Sequence, residues 1–393
     1  MKLKKALSVA LVTAMAVTCL AGCGSGGQQS ADGSSSGSGE TFKIGGIGPL
    51  TGAAAVYGIA VKNGAELAVK EINAAGGIGG VQIEMNYQDD EHDPEKAVNA
   101  YNTLKDWDAQ MILGAVTSNP CVAVGEAAQA DNMFMLTPSG TAVDCVKYDN
   151  AFRVCFSDPT QGVESAKYIG GNGLATKVAV IYDSSDVYSS GIYSAFAAEA
   201  ENQGLEIVSA EAFTAESNTD FSVQLQKAKD AGAELVFLPF YYTEASLVLK
   251  QASGMGYSPI FFGCDGMDGI LGVKGFDAAL ADNLIFLSPF TPTSTDETIQ
   301  KFVTDYKEAY EETPNQFAAD AYDGVYAIKA AIEQANVTAD MSASEICDLL
   351  KTAMTEITID GVTAKGLTWE ASGEPSKEPM VVKIANGDYA VVE

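Results

Sequence analysis

The sequence predicts an α/β protein made of two successive units, each a parallel sheet with helices on both faces. Three observations lead there. Strand-length apolar runs alternate with helix-length amphipathic runs, the alternation restarts after Arg153, and the junctions carry Gly, Pro and small polar residues. With 393 residues, 47% hydrophobic and 19% charged, the chain is long and apolar enough for two domains with large cores.

The N-terminus reads as an address. Lys2, Lys4 and Lys5 precede the uncharged apolar run Ala6–Leu20, which is short for a permanent membrane span and suits a signal peptide over residues 1–22. Leu20-Ala21-Gly22-Cys23 matches the bacterial lipobox, in which the cysteine is diacylated and becomes the new N-terminus. Two acyl chains on Cys23 hold a protein stably at a membrane, so an extracytoplasmic, lipid-anchored location at a cell surface or in a periplasm is expected. Residues 23–40 form a Gly/Ser-rich linker that cannot bury apolar surface. Within it Gly33-Ser34-Ser35-Ser36-Gly37 spells a hydrolase pattern, but lacks the flanking strand and helix that give the pattern meaning.

Composition removes several classes of chemistry. Lys+Arg number 23 against 52 Asp+Glu, a formal net charge of −29. Loss of the three signal lysines takes it to about −32. Arg153 is the sole arginine and His92 the sole histidine, so nucleic-acid binding, a histidine triad and a multi-histidine metal site are excluded. No phosphate loop or nucleophile–base pair is recognisable, and neither enzyme activity nor a cofactor is expected. Without Cys19 and Cys23, five cysteines remain: Cys121, Cys145, Cys155, Cys264 and Cys347. None forms a Cys-x-x-Cys pair, which argues against a zinc or thioredoxin-like site. Extracytoplasmic exposure permits a disulfide, with Cys121–Cys145 as candidate, while buried free thiols are the expectation for most.

Each element follows from local pattern. In the first unit, strands are expected at Phe42–Gly48, Val81–Tyr87, Met111–Gly114 and Phe134–Thr137. A helix from about Gly58 carries Ala60, Gly64, Ala65, Ala68, Val69 and Ile72 at helical spacing and stops at Gly76-Gly77-Ile78-Gly79-Gly80. Asp93-Pro94 supplies an N-cap and an N1 proline for a helix to about Asp106, and Asn119-Pro120 opens another. In the second unit helices are expected at Thr160–Gly170, Ser189–Gln203, Phe221–Ala231 and Glu244–Met255. Strands are expected at Val178–Tyr182, Leu205–Phe213, Leu235–Phe240, Ile260–Gly263 and Leu284–Leu287. Helices at Thr298–Tyr310, Phe317–Ala335 and Ser342–Ala353 precede strand segments at Leu367-Thr368-Trp369, Met380–Ile384 and Tyr389–Val392.

Ligands of open parallel sheets sit outside the carboxyl ends of the strands, so the site belongs in strand-to-helix loops of both units. Thr117-Ser118-Asn119-Pro120 and Thr137-Pro138-Ser139-Gly140-Thr141 offer hydroxyls and free N–H groups at helix starts, an arrangement that favours an anion. The ordinary reading is that Ser118, Asn119 and Thr141 only cap helices. Opposite them, Phe262 to Gly269 places Asp265 between glycines, with Tyr241-Tyr242 and Asp183 to Tyr188 at neighbouring strand ends. Asp265 could take an ammonium while tyrosines cover hydrocarbon. The ordinary readings are a turn aspartate and core aromatics.

Taken in order, several motifs resemble the leucine/isoleucine/valine-binding proteins of ABC importers: the lipobox and leash, Ile44-Gly45-Gly46-Ile47-Gly48-Pro49-Leu50-Thr51-Gly52, the glycine run from Gly76, and Asp89-Asp90 followed by Asp93-Pro94. Met135-Leu136-Thr137-Pro138 and Phe262-Gly263-Cys264-Asp265-Gly266 complete the set. The resemblance spans 41–393. It implies a type I periplasmic binding protein fold: two Rossmann-like lobes joined by three crossovers, residues 41–157 plus 290–364 and residues 158–289 plus 365–393. It implies lobe closure around a branched-chain or other hydrophobic amino acid, delivery to permease subunits, and a monomer. Carried over by residue, Ser118, Ser139 and Thr141 face the ligand carboxylate, Asp265 takes the ammonium, and Tyr57, Tyr188, Tyr241 and Phe317 line the pocket. Asp265 stands where the best-known members have a longer glutamate, and Ser139 where others have alanine. His92 and Thr117 stand where some relatives carry a cysteine pair. A different small solute (an amide, a urea-like compound or an aromatic acid) and an extracytoplasmic ligand sensor remain the alternatives.

Overall fold

The computed structural model describes residues 40–282 and 284–392. The expected signal peptide, the lipidation site Cys23 and nearly all of the linker lie outside the described residues. Among the described residues, no helix is long and apolar enough to cross a membrane.

The first half is built on a five-stranded sheet, all parallel. Its strands are β1 (Phe42–Gly48), β2 (Ile83–Asp89), β3 (Met111–Leu113), β4 (Phe134–Thr137) and β5 (Ala151–Arg153), in the order β2-β1-β3-β4-β5. Helices α1 (Ala55–Ala74), α2 (Pro94–Asp106) and α3 (Ser118–Ala130) connect them. Asp93 caps α2 by accepting from the Lys96 N–H, with Pro94 in its first turn, as the sequence predicts. Gly114, at φ +140°, turns the chain out of β3; a β-carbon there would stand 2.4 Å from the Ile47 carbonyl oxygen. β5 has no counterpart in the sequence reading.

The second half begins with α4 (Asp158–Gly171), which packs on α5 (Val187–Ala200). Between and after them come β6 (Lys177–Asp183), β7 (Glu206–Phe213), α6 (Ser222–Asp230), β8 (Leu235–Leu238), α7 (Tyr242–Gly254), β9 (Ile260–Gly263) and β10 (Ile285–Ser288). The chain then returns to the first half as α8 (Glu297–Tyr310), α9 (Gln316–Ala335), which lies along α1, and α10 (Ala343–Ala353). It ends in β11 (Met380–Ala385) and β12 (Asp388–Val391). The second sheet has seven strands in the order β12-β11-β10-β9-β8-β6-β7. β6 to β10 are parallel, whereas β11 and β12 pair antiparallel, so this sheet is mixed rather than wholly parallel.

The chain passes between the halves three times: from β5 to α4, from β10 to α8, and before β11. The last passage comes later than the boundary expected at residue 365. Trp369 donates from its indole Nε1 to the Arg153 carbonyl at 2.7 Å, and the Arg153 N–H donates to Gly373 O at 3.0 Å. Lys377, fully buried, pairs with Asp320 of α9 at 2.6 Å. These buried bonds keep 365–377 on the first half, because breaking any of them strands a polar group in the interior.

Candidate functional site

Both sheets reverse strand order at one point, between β1 and β3 in the first and between β6 and β8 in the second. Loops from these points converge on an enclosed cavity of about 10 Å³, on the order of one water molecule. Tyr57, Ser118, Ser139, Tyr188, Tyr241, Asp265 and Phe317, seven of the eight expected ligand contacts, line it together. Thr141 does not. It is buried behind the wall, where its carbonyl accepts the Asp158 N–H at 2.9 Å.

The first half presents hydrogen-bond donors. Thr117 is the N-cap of α3 in extended conformation, yet its hydroxyl makes no capping bond. It pairs instead with His92 Nδ1 at 2.7 Å, which leaves the first N–H groups of α3 without a side-chain acceptor. Ser118 therefore opens the helix rather than capping it. Its Oγ accepts the Ala142 N–H at 3.2 Å, so the hydroxyl proton stays free to donate. Ser139 Oγ donates to Val116 O at 2.7 Å, which fixes the loop after β4. The Thr137 hydroxyl anchors the same loop, donating to Ala115 O and accepting the Gly140 N–H. Burial lowers the pKa of His92, so a neutral imidazole backs Thr117 from outside the cavity at neutral pH.

The second half presents an acceptor. Asp186 caps α5 by accepting the Tyr188 N–H at 3.0 Å, which places the Tyr188 ring at the cavity. The Tyr188 hydroxyl donates to Asp265 Oδ1 at 2.7 Å and accepts the Gly266 N–H at 3.0 Å. Burial pushes the Asp265 carboxyl up to about 6, against the opposing pull of Tyr188, Gln161 and the Gly266 N–H. The Tyr188 and Tyr241 rings stack at 4.8 Å, and Tyr57 meets Tyr241 at 5.5 Å and Phe317 at 4.3 Å.

Several contacts cross the cleft. The Tyr57 hydroxyl donates to Gly266 O at 2.6 Å and accepts the Tyr242 N–H at 3.2 Å. Gln316, first residue of α9, donates from its side chain to Asp265 O and from its backbone to Asp268 Oδ2, each at 2.9 Å. Three lining residues were not among those expected: Val116, Thr117 and Gly266. Thr117 and Gly266 fall inside stretches singled out by sequence. Gln161 and Gln316 carried no signal of their own, since the buried faces of their helices hold other polar residues, Asp158 and Ser165 on α4 and Asp320 and Asp323 on α9. The candidate Cys121–Cys145 disulfide is absent; all five described cysteines are buried free thiols.

Two α/β halves whose strand ends close on one polar, aromatic-walled cavity define a small-solute binding protein. The family model for periplasmic binding proteins matches residues 41–388, and the chain belongs to that family, with its type I fold. The family is one of extracytoplasmic solute-binding proteins. A Leu/Ile/Val-binding protein homolog from Brucella melitensis is 32% identical over 302 residues, covering 76% of this chain and 81% of the relative. The leucine-, isoleucine-, valine-, threonine- and alanine-binding protein of Pseudomonas aeruginosa is 28% identical over 75% of this chain and 79% of its own length. Among solved structures, the branched-chain amino acid transporter substrate-binding protein LivJ of Streptococcus pneumoniae, in complex with isoleucine, is 31% identical. The match has a TM-score of 0.81 and covers 90% of this chain and 99% of that one.

Proposed function

We propose that this protein is the binding component of an ABC importer and captures branched-chain or other hydrophobic amino acids, delivering them to the permease. The observation that carries the reading is the opposed polarity of one enclosed cavity. Uncapped helix N–H groups and the Ser118 hydroxyl lie on one side, a buried carboxylate held by Tyr188 on the other, with aromatic rings between. In this reading the α-carboxylate meets the start of α3, with Ser139 supporting the wall and Thr141 acting from behind it. The ammonium meets Asp265, and Tyr57, Tyr188, Tyr241 and Phe317 cover the side chain. Because the cavity holds about 10 Å³, admitting an amino acid requires the halves to part, and only the closed arrangement makes both sets of contacts. The lobes are residues 41–157 plus 290–377 and 158–289 plus 378–393. The reading includes export by residues 1–22, lipidation at Cys23 and a monomeric body with no cofactor or catalytic step.

A thermal-shift screen over the amino acids tests it. A true ligand at 100 times its Kd stabilises the fold by about 2.7 kcal/mol. Leucine, isoleucine or valine should raise Tm, while the matching α-keto acids, which lack the amine, should not. Equal shifts with the keto acids, or none with any amino acid, would overturn the assignment.

A further inference from the structure

A second cavity, about 490 Å³, opens between the halves away from the first. Val122 of α3 and Val143 after β4 form one wall, and Val187, Gly191 and Ala195 of α5 form the other. Val143 and Val187 are 58% and 43% exposed, so each wall carries an apolar side chain open to solvent. Asp158, the first residue of α4, also lines the cavity; it is 1% exposed and neither carboxylate oxygen has a hydrogen-bond partner. The Thr141 hydroxyl lies near without completing a bond. Arg153 lies near too, but its Nη groups are directed to Gly140 O, Ala142 O and Glu374. Burial raises the Asp158 carboxyl well above the ordinary carboxylate range, which favours its neutral form until a cation is supplied. Gly191 stands directly over the carboxylate: a β-carbon there would lie 3.0 Å from Asp158 Oδ2.

We propose that this groove is a second ligand site, for a primary aliphatic amine whose ammonium pairs with Asp158 while its hydrocarbon lies on Val122, Val143 and Val187. The volume falls within the range of small-molecule sites, roughly 300–1,000 Å³. The negative charge of the chain also favours a cationic occupant. Since its walls come from both halves, an occupant favours their closed arrangement and thereby strengthens binding at the first cavity; the coupling is reciprocal. The site itself stands independently of the amino-acid reading.

The test is calorimetric titration of the full chain with n-hexylammonium, with and without saturating leucine, and with n-hexanol as the neutral control. Expected are one bound amine per chain, binding that persists in saturating leucine, and little heat from hexanol. Asp158→Asn should weaken the amine at least about tenfold, the loss of one charged contact. Gly191→Val should abolish binding by covering the carboxylate, and either variant alone suffices should the other fail to fold. No amine binding, equal binding by Asp158→Asn, or displacement by leucine would overturn the site. Failure of the amino-acid reading would show differently: leucine without effect and amine heat intact.

Discussion

The two halves share a sheet-and-helix plan but meet the cavity with opposite chemistry. The first offers neutral donors fixed by backbone geometry: an uncapped helix start and the Ser118 hydroxyl. The second offers a single ionisable acceptor, Asp265, fixed by side chains, Tyr188 and Gln161 above all. The difference teaches that the first wall should bind an anion with little sensitivity to pH or to any one side chain. The second concentrates its contribution, and its titration, in one carboxyl.

Four experiments probe that contrast. The largest effect is expected at Asp265: replacement by alanine should weaken amino-acid binding by roughly 2–4 kcal/mol through loss of a buried charge-assisted bond, measured by calorimetry. Next is pH. With its carboxyl raised to about 6 in the free protein, Asp265 takes up a proton as pH falls below 6, and that proton must leave before an ammonium binds. Kd should therefore rise about tenfold per unit below pH 6 and stay level above it; a flat profile down to pH 5 would remove Asp265 from the ammonium contact. Tyr57→Phe comes third. Its hydroxyl bridges Gly266 O and the Tyr242 N–H across the cleft, so its loss should cost about 1–2 kcal/mol of ligand affinity. The smallest effect is expected for Ser118→Ala, roughly 1 kcal/mol, because the helix N–H groups beside it remain. A loss at Ser118 as large as at Asp265 would invert the comparison.

Much of this was legible in the sequence, for physical reasons. β1, β4 and β9 fall where alternation or a short apolar run bounded by turn residues puts them, and α2 is announced by Asp93 and Pro94. Element order pointed to the loops after β3, β4, β8 and β9, whereas the individual contacts, Tyr57 and Phe317 above all, came from the family resemblance; seven of the eight line one cavity. β5 was not legible: three residues gain strand geometry only from pairing with β4, a contact the local pattern does not encode. The antiparallel β11–β12 pair and the attachment of 365–377 to the first half depend likewise on distant partners, Lys377 with Asp320 among them. At the site, the exchange by which Thr117 turns from capping α3 to His92 is invisible locally, since the two lie 25 positions apart.

Arg153, fully buried and the chain's sole arginine, has a practical consequence. An arginine-specific protease has one bond to cut, at the strand leading into the first crossover, and no access to it while Arg153 holds Gly140 and Ala142 from within. Nicking into two fragments thus gauges how often that crossover comes undone, and a solute that draws the halves together should slow the cut in proportion to its occupancy.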